Sequence, residues 1–387
     1  MKILFCWMTV SGYMSACWRE LSKREGVEPY VIAFASPSGS NTAFSGDDLM
    51  RGIEGRLITE EERDDPEHVR SLVQEQAPDV LALSGWSHPS YVSLAYASEL
   101  DGSRLAMFMD NPRLPGPRQL VTRYAYRSYL ERLERVFVTG ERCWQLARLL
   151  AVPEERIVRG AYGVDVDGLA PLWDQRAALQ GGWPRSFLFV GQYTERKGVD
   201  VLIRAYRRYR RHVEDPWPLV CCGMGPLADA LRDEPGVEDR GFTQPDALNQ
   251  FRLASGAFVL PSRYDAWPLA IVESCAAGLP VISSNACGSA VELVRPLHNG
   301  LVIPTGSEAA LAEALARIHR SHADLPEMGR RSSRMAEAYS AQTWADRVIA
   351  ACEELVASPR RRETRTGSGF GVSVVAKLRS LVGGRSG

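Results

Sequence analysis

The chain has little charge of either sign in excess. Across 387 residues, 47 acidic side chains stand against 46 basic ones, so no global field draws it to nucleic acid and only local basic patches are left open. It has no apolar run long enough to cross a membrane, and its start, MKILFCWMTVSG, lacks the cleavage pattern of a secretory leader because it reads as a first strand. The eight cysteines, at 6, 17, 143, 221, 222, 275, 287 and 352, show no CxxC spacing and lie mostly in apolar runs such as ILFCW and LVCCG. Buried reduced thiols in a cytoplasmic protein are the expectation. A full dinucleotide fingerprint is also missing, because the Gly-Met-Gly-Pro turn within WPLVCCGMGPLADAL (217–231) has too few glycines.

What is present is length and alternation. Single cores seldom grow past about 250–300 residues, so 387 residues imply two domains. KILFCW (2–7), VEPYVIAFA (27–35), PDVLALSG (78–85), RLAMFMD (104–110) and RVFVTG (135–140) are short apolar runs separated by helix-length amphipathic segments. That pattern gives βα units and a parallel sheet. Ligands collect at the carboxyl ends of such strands, so the loops at 11–13, 85–91 and 110–116 are expected to share one crevice. Gly12, just after the first strand, lets backbone approach a ligand closely.

The second half repeats the scheme. SFLFVGQYTERKGVDVLIRAY (186–206) reads as a strand ending at Gly191, a loop with Gln192, Arg196 and Lys197, and a helix entered at Gly198. GFTQPDALNQFRLA (241–254) opens a helix at Pro245, and GAFVLPS (256–262) is a further strand. PSRYDAWPLAIVESCAAGLPVI (261–282) then combines a loop, a helix start and two acids. Pro268 suits the first helical turn and Gly278 its left-handed stop. Glu273 therefore sits one turn inside the helix on the face of Leu269, and Asp265 lies in the loop in front. A helix start exposes unpaired N–H groups and a partial positive charge, which hold a phosphate without a metal. On their own the two acids also fit a helix cap and a solvated helix carboxylate, and Arg196 and Lys197 fit two solvated loop cations.

PSRYDAWPLAIVESCAAGLPVI resembles the nucleotide-sugar site of retaining glycosyltransferases of family 4, whose signature is Glu-x7-Glu; Asp265 and Glu273 keep the spacing with Asp at the first position. The resemblance implies the GT-B fold, an α/β architecture of two Rossmann-like parallel-sheet domains facing across a cleft. It also implies transfer of a sugar from a nucleotide-diphosphate sugar to an acceptor hydroxyl with retention and without a metal or other cofactor. Carried onto this sequence, Asp265 contacts donor-sugar hydroxyls and Glu273 the ribose. The loop at 191–198 is similar to the family's diphosphate-gripping GR-x-x-x-x-KG: Lys197 matches, Gln192 replaces the Arg, and Arg196 is the candidate substitute. Gly223 in the turn over the nucleotide, Phe242 beside the base, and Trp267, Pro268 and Leu269 at the helix mouth complete the donor set, with Gly12 from the first domain. NACGSAVELV (285–294) and HNGLVIP (298–304) extend the resemblance, whose convincing part spans about 186–304.

For the acceptor side, the strand LAMFMDNP offers Asp110 and Asn111 where many relatives have a His. Asp110 is the candidate for orienting acceptor or donor sugar, alongside Lys197 and Asp265 as catalytic groups, and Trp86, His88, Asn111 and Arg113 are the acceptor-binding candidates. The DVD at 165–167 mimics a metal-binding Asp-x-Asp but lies where the chain crosses between domains, so no metal is expected. The domains are expected at 1–175 and 183–340, joined by a polar linker at about 168–184. A long helix within 324–358, with an apolar stripe of Tyr339, Trp344 and Val348, should pack its end (340–358) back on the first domain. The tail at 359–387 is basic, Gly/Ser-rich and expected to be disordered, with a weak contact to an anionic inner membrane face as its minority role. RYAYRSYLERLER (123–135) fits an exposed amphipathic helix, with a membrane contact as the lesser reading. Expected partners are the donor and a glycan, lipid-linked or small-molecule acceptor, in glycan, glycolipid or natural-product glycoside synthesis. A sugar-nucleotide epimerase of the same fold and a non-catalytic nucleotide-sugar-binding protein are the rivals.

Overall fold

The computed structural model describes residues 1–35 and 46–360. It divides into two units, the first made of residues 1–163 and the segment from Ala341 on, the second of Val164–Ser340.

The first unit holds β1 (Lys2–Trp7), β2 (Glu28–Phe34), β3 (Gly55–Ile58), β4 (Val80–Ser84), β5 (Arg104–Met109), β6 (Arg135–Val138) and β7 (Ile157–Arg159), in a sheet of order β3-β2-β1-β4-β5-β6-β7. The second holds β8 (Phe187–Val190), β9 (Leu219–Cys222), β10 (Val237–Asp239), β11 (Ala257–Leu260), β12 (Val281–Ser284) and β13 (Gly300–Ile303), in the order β10-β9-β8-β11-β12-β13. Every pair in both sheets is parallel. Central strands such as β1 and β11 are buried on both faces, which is why they read as unbroken apolar runs. In each unit the strand order reverses beside the first strand, between β1 and β4 and between β8 and β11, and at such a switch point the loops splay apart to leave a crevice.

Four strands escape the sequence reading: GRLI of β3, IVR of β7, VED of β10 and GLVI of β13. All are sheet edges. An edge strand has one neighbour and needs no apolar run, so three or four partly exposed residues suffice.

The expected linker at 168–184 is corrected. The unit boundary falls at Gly163, and the following residues form helices Val166–Leu169 and Pro171–Ala177 of the second unit. Arg176 is fully buried there, its guanidinium donating to the carbonyls of Ala277 (2.9 Å) and Arg252 (2.6 Å). The single long helix within 324–358 is also corrected to two, Leu325–Ala336 and Ala341–Ala357, parted by a short 3-10 turn at Glu337–Tyr339. At that break Val164 N–H donates to the Tyr339 carbonyl (2.9 Å) and Val164 bridges Ser340, so the chain enters and leaves the second unit side by side. Tyr339 is therefore off the stripe, its hydroxyl donating to Glu292 at 2.7 Å. Trp344 and Val348 are buried in the first unit, where the Trp344 indole N–H donates to the Ala161 carbonyl at 2.9 Å and helix Ala341–Ala357 lies against helix Gly12–Ser22.

All eight cysteines are buried thiols, and burial pushes those of Cys143 and Cys275 up to about 12. No helix among the described residues is long and apolar enough to cross a membrane. The expectations for 361–387 fall outside the described residues.

Candidate functional site

At the switch point of the second sheet, the loops after β8 and β11 are pinned to each other. Gly198, the N-cap of helix Val199–His212, has φ +73°, and a Cβ on it would overlap the Pro261 carbonyl, so only glycine lets the loops meet. Arg263 N–H donates to the Arg196 carbonyl (2.8 Å), and the Arg263 guanidinium reaches the Glu195 carbonyl (2.7 Å) and Asp200 Oδ2 (2.6 Å). The Arg263 hydrogen bond holds the Asp200 carboxyl below the usual range. These ties bring Lys197 Nζ to 2.5 Å from Asp265 Oδ2, with the two side chains 16% and 11% exposed. Two residues 68 positions apart thus form a half-buried ion pair where a ligand is expected.

Arg196 lies next to Gln192, the position of the missing loop arginine. Arg196 donates to Gln192 Oε1 (3.2 Å) and to the Tyr264 carbonyl (3.3 Å), which puts its guanidinium beside the substituted position. Helix Leu269–Ala276 begins after Pro268 as its N-cap, with Asp265 in the preceding loop and Leu269 half-buried at its mouth. Segment 285–290 braces that loop: Asp265 bridges Cys287, Gly288 N–H donates to the Asp265 carbonyl (2.9 Å), and the Ser289 hydroxyl donates to the Pro268 carbonyl (2.9 Å). Trp267 turns its side chain inward. It is buried with its ring 5.7 Å from Tyr339. Gly223 lies in the turn after β9, where a Cβ would overlap the Gly191 carbonyl, and half-buried Phe242 follows β10.

Glu273 has a partner that the sequence reading missed. Arg252, on helix Pro245–Leu253, donates to Glu273 Oε2 at 2.5 Å and to Asn249 Oδ1 at 2.9 Å, and its side chain is only 4% exposed. The Glu273 side chain is 30% exposed, so it is clamped through one oxygen and open elsewhere. No motif marks Arg252; 21 residues separate the pair, and the fold alone joins them.

In the first unit, Asp110 follows β5 and accepts a hydrogen bond from the Tyr162 hydroxyl at 3.2 Å. The Tyr162 ring lies 5.2 Å from that of Tyr13, whose hydroxyl is pushed up to about 12, chiefly by burial. Gly12 opens helix Gly12–Ser22 with free space where a side chain would be. The acceptor candidates make separate contacts. His88 Nε2 is 3.2 Å from Asp64 Oδ1 with its ring against Phe34, and Trp86 packs on Tyr126 at 5.4 Å. Asn111 is exposed. Arg113 is half-buried, with one guanidinium nitrogen donating to Gln119 Oε1 (3.0 Å) and the Leu114 carbonyl of its own loop. Asp165 of the DVD caps its own short helix by accepting from Gly168 N–H at 3.0 Å.

Residues 175–336 match the family model described as Glycosyl transferases group 1. The matched stretch includes every second-unit residue discussed above from Gln192 to Ser289. The chain is 30% identical over 142 residues to the uncharacterized glycosyltransferase MJ1607 of Methanocaldococcus jannaschii, covering 35% of each. It is 33% identical over 174 residues to a GDP-mannose-dependent alpha-(1-6)-phosphatidylinositol monomannoside mannosyltransferase of Mycobacterium tuberculosis, covering 40% of this chain and 45% of that one. The chain spans about a third to three fifths of the length of the first curated relatives it matches. Among solved structures, Anabaena Alr3699/HepE in complex with UDP and glucose superposes with a TM-score of 0.70 at 17% identity, covering 92% of this chain and 100% of that one. The fold, two Rossmann-like parallel-sheet domains, is GT-B.

Proposed function

We propose that the protein is a glycosyltransferase that moves a sugar from a nucleotide-diphosphate sugar to an acceptor hydroxyl. The observation that carries this is the Lys197–Asp265 pair at the switch point of the second sheet, in front of the helix that bears Glu273 and inside the stretch matching the Glycosyl transferases group 1 model. As the bond between the anomeric carbon and the diphosphate oxygen breaks, negative charge grows on the leaving phosphate. Lys197, Arg196 and the first N–H groups of helix Leu269–Ala276 are the donors suited to meet it. The acceptor oxygen bonds to the anomeric carbon, and its proton passes to the leaving diphosphate. Retention of configuration belongs to the proposal on the resemblance of Asp265-x7-Glu273 to the family signature. So does independence of metal, supported by Lys197, Arg196 and the mouth of helix Leu269–Ala276 as candidate partners for the diphosphate.

Glu273, fixed by Arg252, is assigned to the ribose hydroxyls, and Asp265 to the donor sugar once Lys197 turns to phosphate. Asp110, held by Tyr162, is assigned to orienting the acceptor. Relatives named for phosphatidylinositol mannoside, colanic acid and amylovoran synthesis support an acceptor in glycolipid or polysaccharide assembly. We place the reaction in the cytoplasm. A panel of nucleotide sugars tested by thermal shift, followed by assay of donor hydrolysis, tests the function: a true donor raises the melting temperature by mass action, and a transferase leaks free sugar and nucleoside diphosphate. Stabilisation without any hydrolysis or transfer would leave a binding protein instead.

A further inference from the structure

Among the described residues ten large apolar side chains are exposed, and four of them fall between 114 and 124: Leu114, Leu120, Val121 and Tyr124, the last 76% exposed. The last three belong to one element, and Leu114 lies in the loop before it. Helix Arg118–Ala125, reached from β5 through the loop at 110–117, has no buried residue. With about 100° between successive residues, Leu120, Val121 and Tyr124 share a stripe about 100° wide, flanked on one side by Arg123 and on the other by Arg118. The opposite side faces the protein, because Gln119 donates to the Pro112 carbonyl (2.8 Å) and accepts from Leu114 N–H (3.0 Å). Residues 111–130 contain four arginines and no acid. Arg123 and Tyr124 continue onto a cavity of about 370 Å³ beside the helix, where Arg127 is paired with Glu131 (2.7 Å).

We propose that this helix docks the protein on an anionic lipid bilayer, with the stripe in the acyl boundary and Arg118 and Arg123 at the headgroup phosphates. Cations on both edges of a narrow apolar stripe suit a surface that is apolar in depth and negative at its rim. A second copy of the chain is a poor occupant, since a two-fold contact would set these arginines against their equivalents. One two-turn helix also offers far less than the roughly 800 Å² per partner of a stable protein interface. The site is distinct from the basic tail, because Arg360 donates to the carbonyls of Asp101 and Gly102 ahead of β5, whereas the helix follows the other end of that strand. The proposal rests on the glycosyltransferase reading in one respect: the loop bearing Asp110 runs into this helix, so a lipid-carried acceptor would be offered beside Asp110.

The test is sedimentation of the full-length protein with vesicles of phosphatidylcholine alone or mixed with phosphatidylglycerol. Binding is expected only with phosphatidylglycerol and should weaken with salt. Replacing Leu120 and Tyr124 together by Ser should lower the partition coefficient about tenfold. Arg118→Gln and Arg123→Gln should each lower it roughly fivefold. The melting temperature should stay unchanged, since these side chains are exposed. Equal sedimentation of parent and variants, loss only when the arginines at 360–362 are replaced, or a concentration-dependent dimer abolished by the Leu120/Tyr124 change would each overturn it. A nucleotide-sugar thermal shift on the same samples separates the failures. A shift without vesicle binding sinks the docking alone, and vesicle binding without a shift sinks the donor reading alone.

Discussion

The two sheets share a strand order, first strand beside fourth with the second and third on the far side, yet their carboxyl ends carry different chemistry. At the second sheet the loops are tied by ions: Lys197 to Asp265, Arg263 to Asp200, Arg252 to Glu273. At the first sheet the equivalent loops present rings and hydroxyls, with Tyr13 and Tyr162 around Asp110 and Trp86 on Tyr126. A diphosphate asks for cations and helix N–H groups. A sugar or alcohol acceptor asks for rings to lie on and one oriented acid. Duplicated topology thus positions two crevices, and side-chain chemistry decides what each holds.

The sharpest way to break that contrast is Lys197→Met, which removes the charge but keeps the stem. Turnover should fall by about 10²–10³, the cost of losing one well-placed charge-stabilising donor. The matching change in the first unit, Asp110→Asn, should leave the thermal shift produced by the donor intact. Parental turnover in Lys197→Met, or loss of donor binding in Asp110→Asn, would erase the assignment of the donor to the second sheet.

Next in size is the Glu273 clamp. Glu273→Gln and Arg252→Lys should each raise the donor KM about 10–100-fold, as expected for a hydrogen bond to a charged group worth about 1.5–3 kcal/mol, with kcat nearly unchanged. Gln and Lys are the useful replacements, since Ala at either position would leave a buried or half-buried charge without its partner and destabilise the unit. An equal fall in kcat would mean that Arg252 acts on the reacting centre rather than through Glu273.

Gly198→Ala forces a Cβ into the Pro261 carbonyl at positive φ, so stability should drop by about 2–4 kcal/mol in thermal or denaturant unfolding. Tyr162→Phe is milder: about 1 kcal/mol of stability and a several-fold rise in acceptor KM, with the donor KM unmoved. If the donor KM moved instead, Asp110 would belong to the donor.

How much of this the sequence carried follows from where each signal lies. β1, β4, β5, β8, β9 and β11 were legible because a strand buried on both faces needs an unbroken apolar run. β3, β7, β10 and β13 were not, being edges. Lys197, Asp265 and Glu273 were legible because one loop and one helix start set their spacing locally. Arg252, Arg263, Asp200 and Tyr162 were hidden because their partners lie 21 to 63 residues away and meet only through sheet register. The packing of Trp267 and the loop contacts of Arg113 were hidden for the same reason, since polarity and position in a loop do not reveal which way a side chain turns.

The smallest effect concerns the ties rather than the groups they position. Asp200 is held below its ordinary value of 3.8, first by the hydrogen bond from Arg263. A depressed folded value means that the unfolded chain takes up its proton first as pH falls. The stabilisation is therefore complete above 3.8 and lost as pH drops through the lower folded value. Asp200→Asn should accordingly be less stable than the parent at neutral pH, and melting curves should converge once the solution is more acidic than the folded Asp200. Because Arg263 also holds the Glu195 carbonyl, the loop with Lys197 should stay in place and donor affinity change less than with Gly198→Ala. A gap between the melting curves that persists in acid would show that Asp200→Asn acts through packing, and that charge holds only two of the three ties drawn at this switch point.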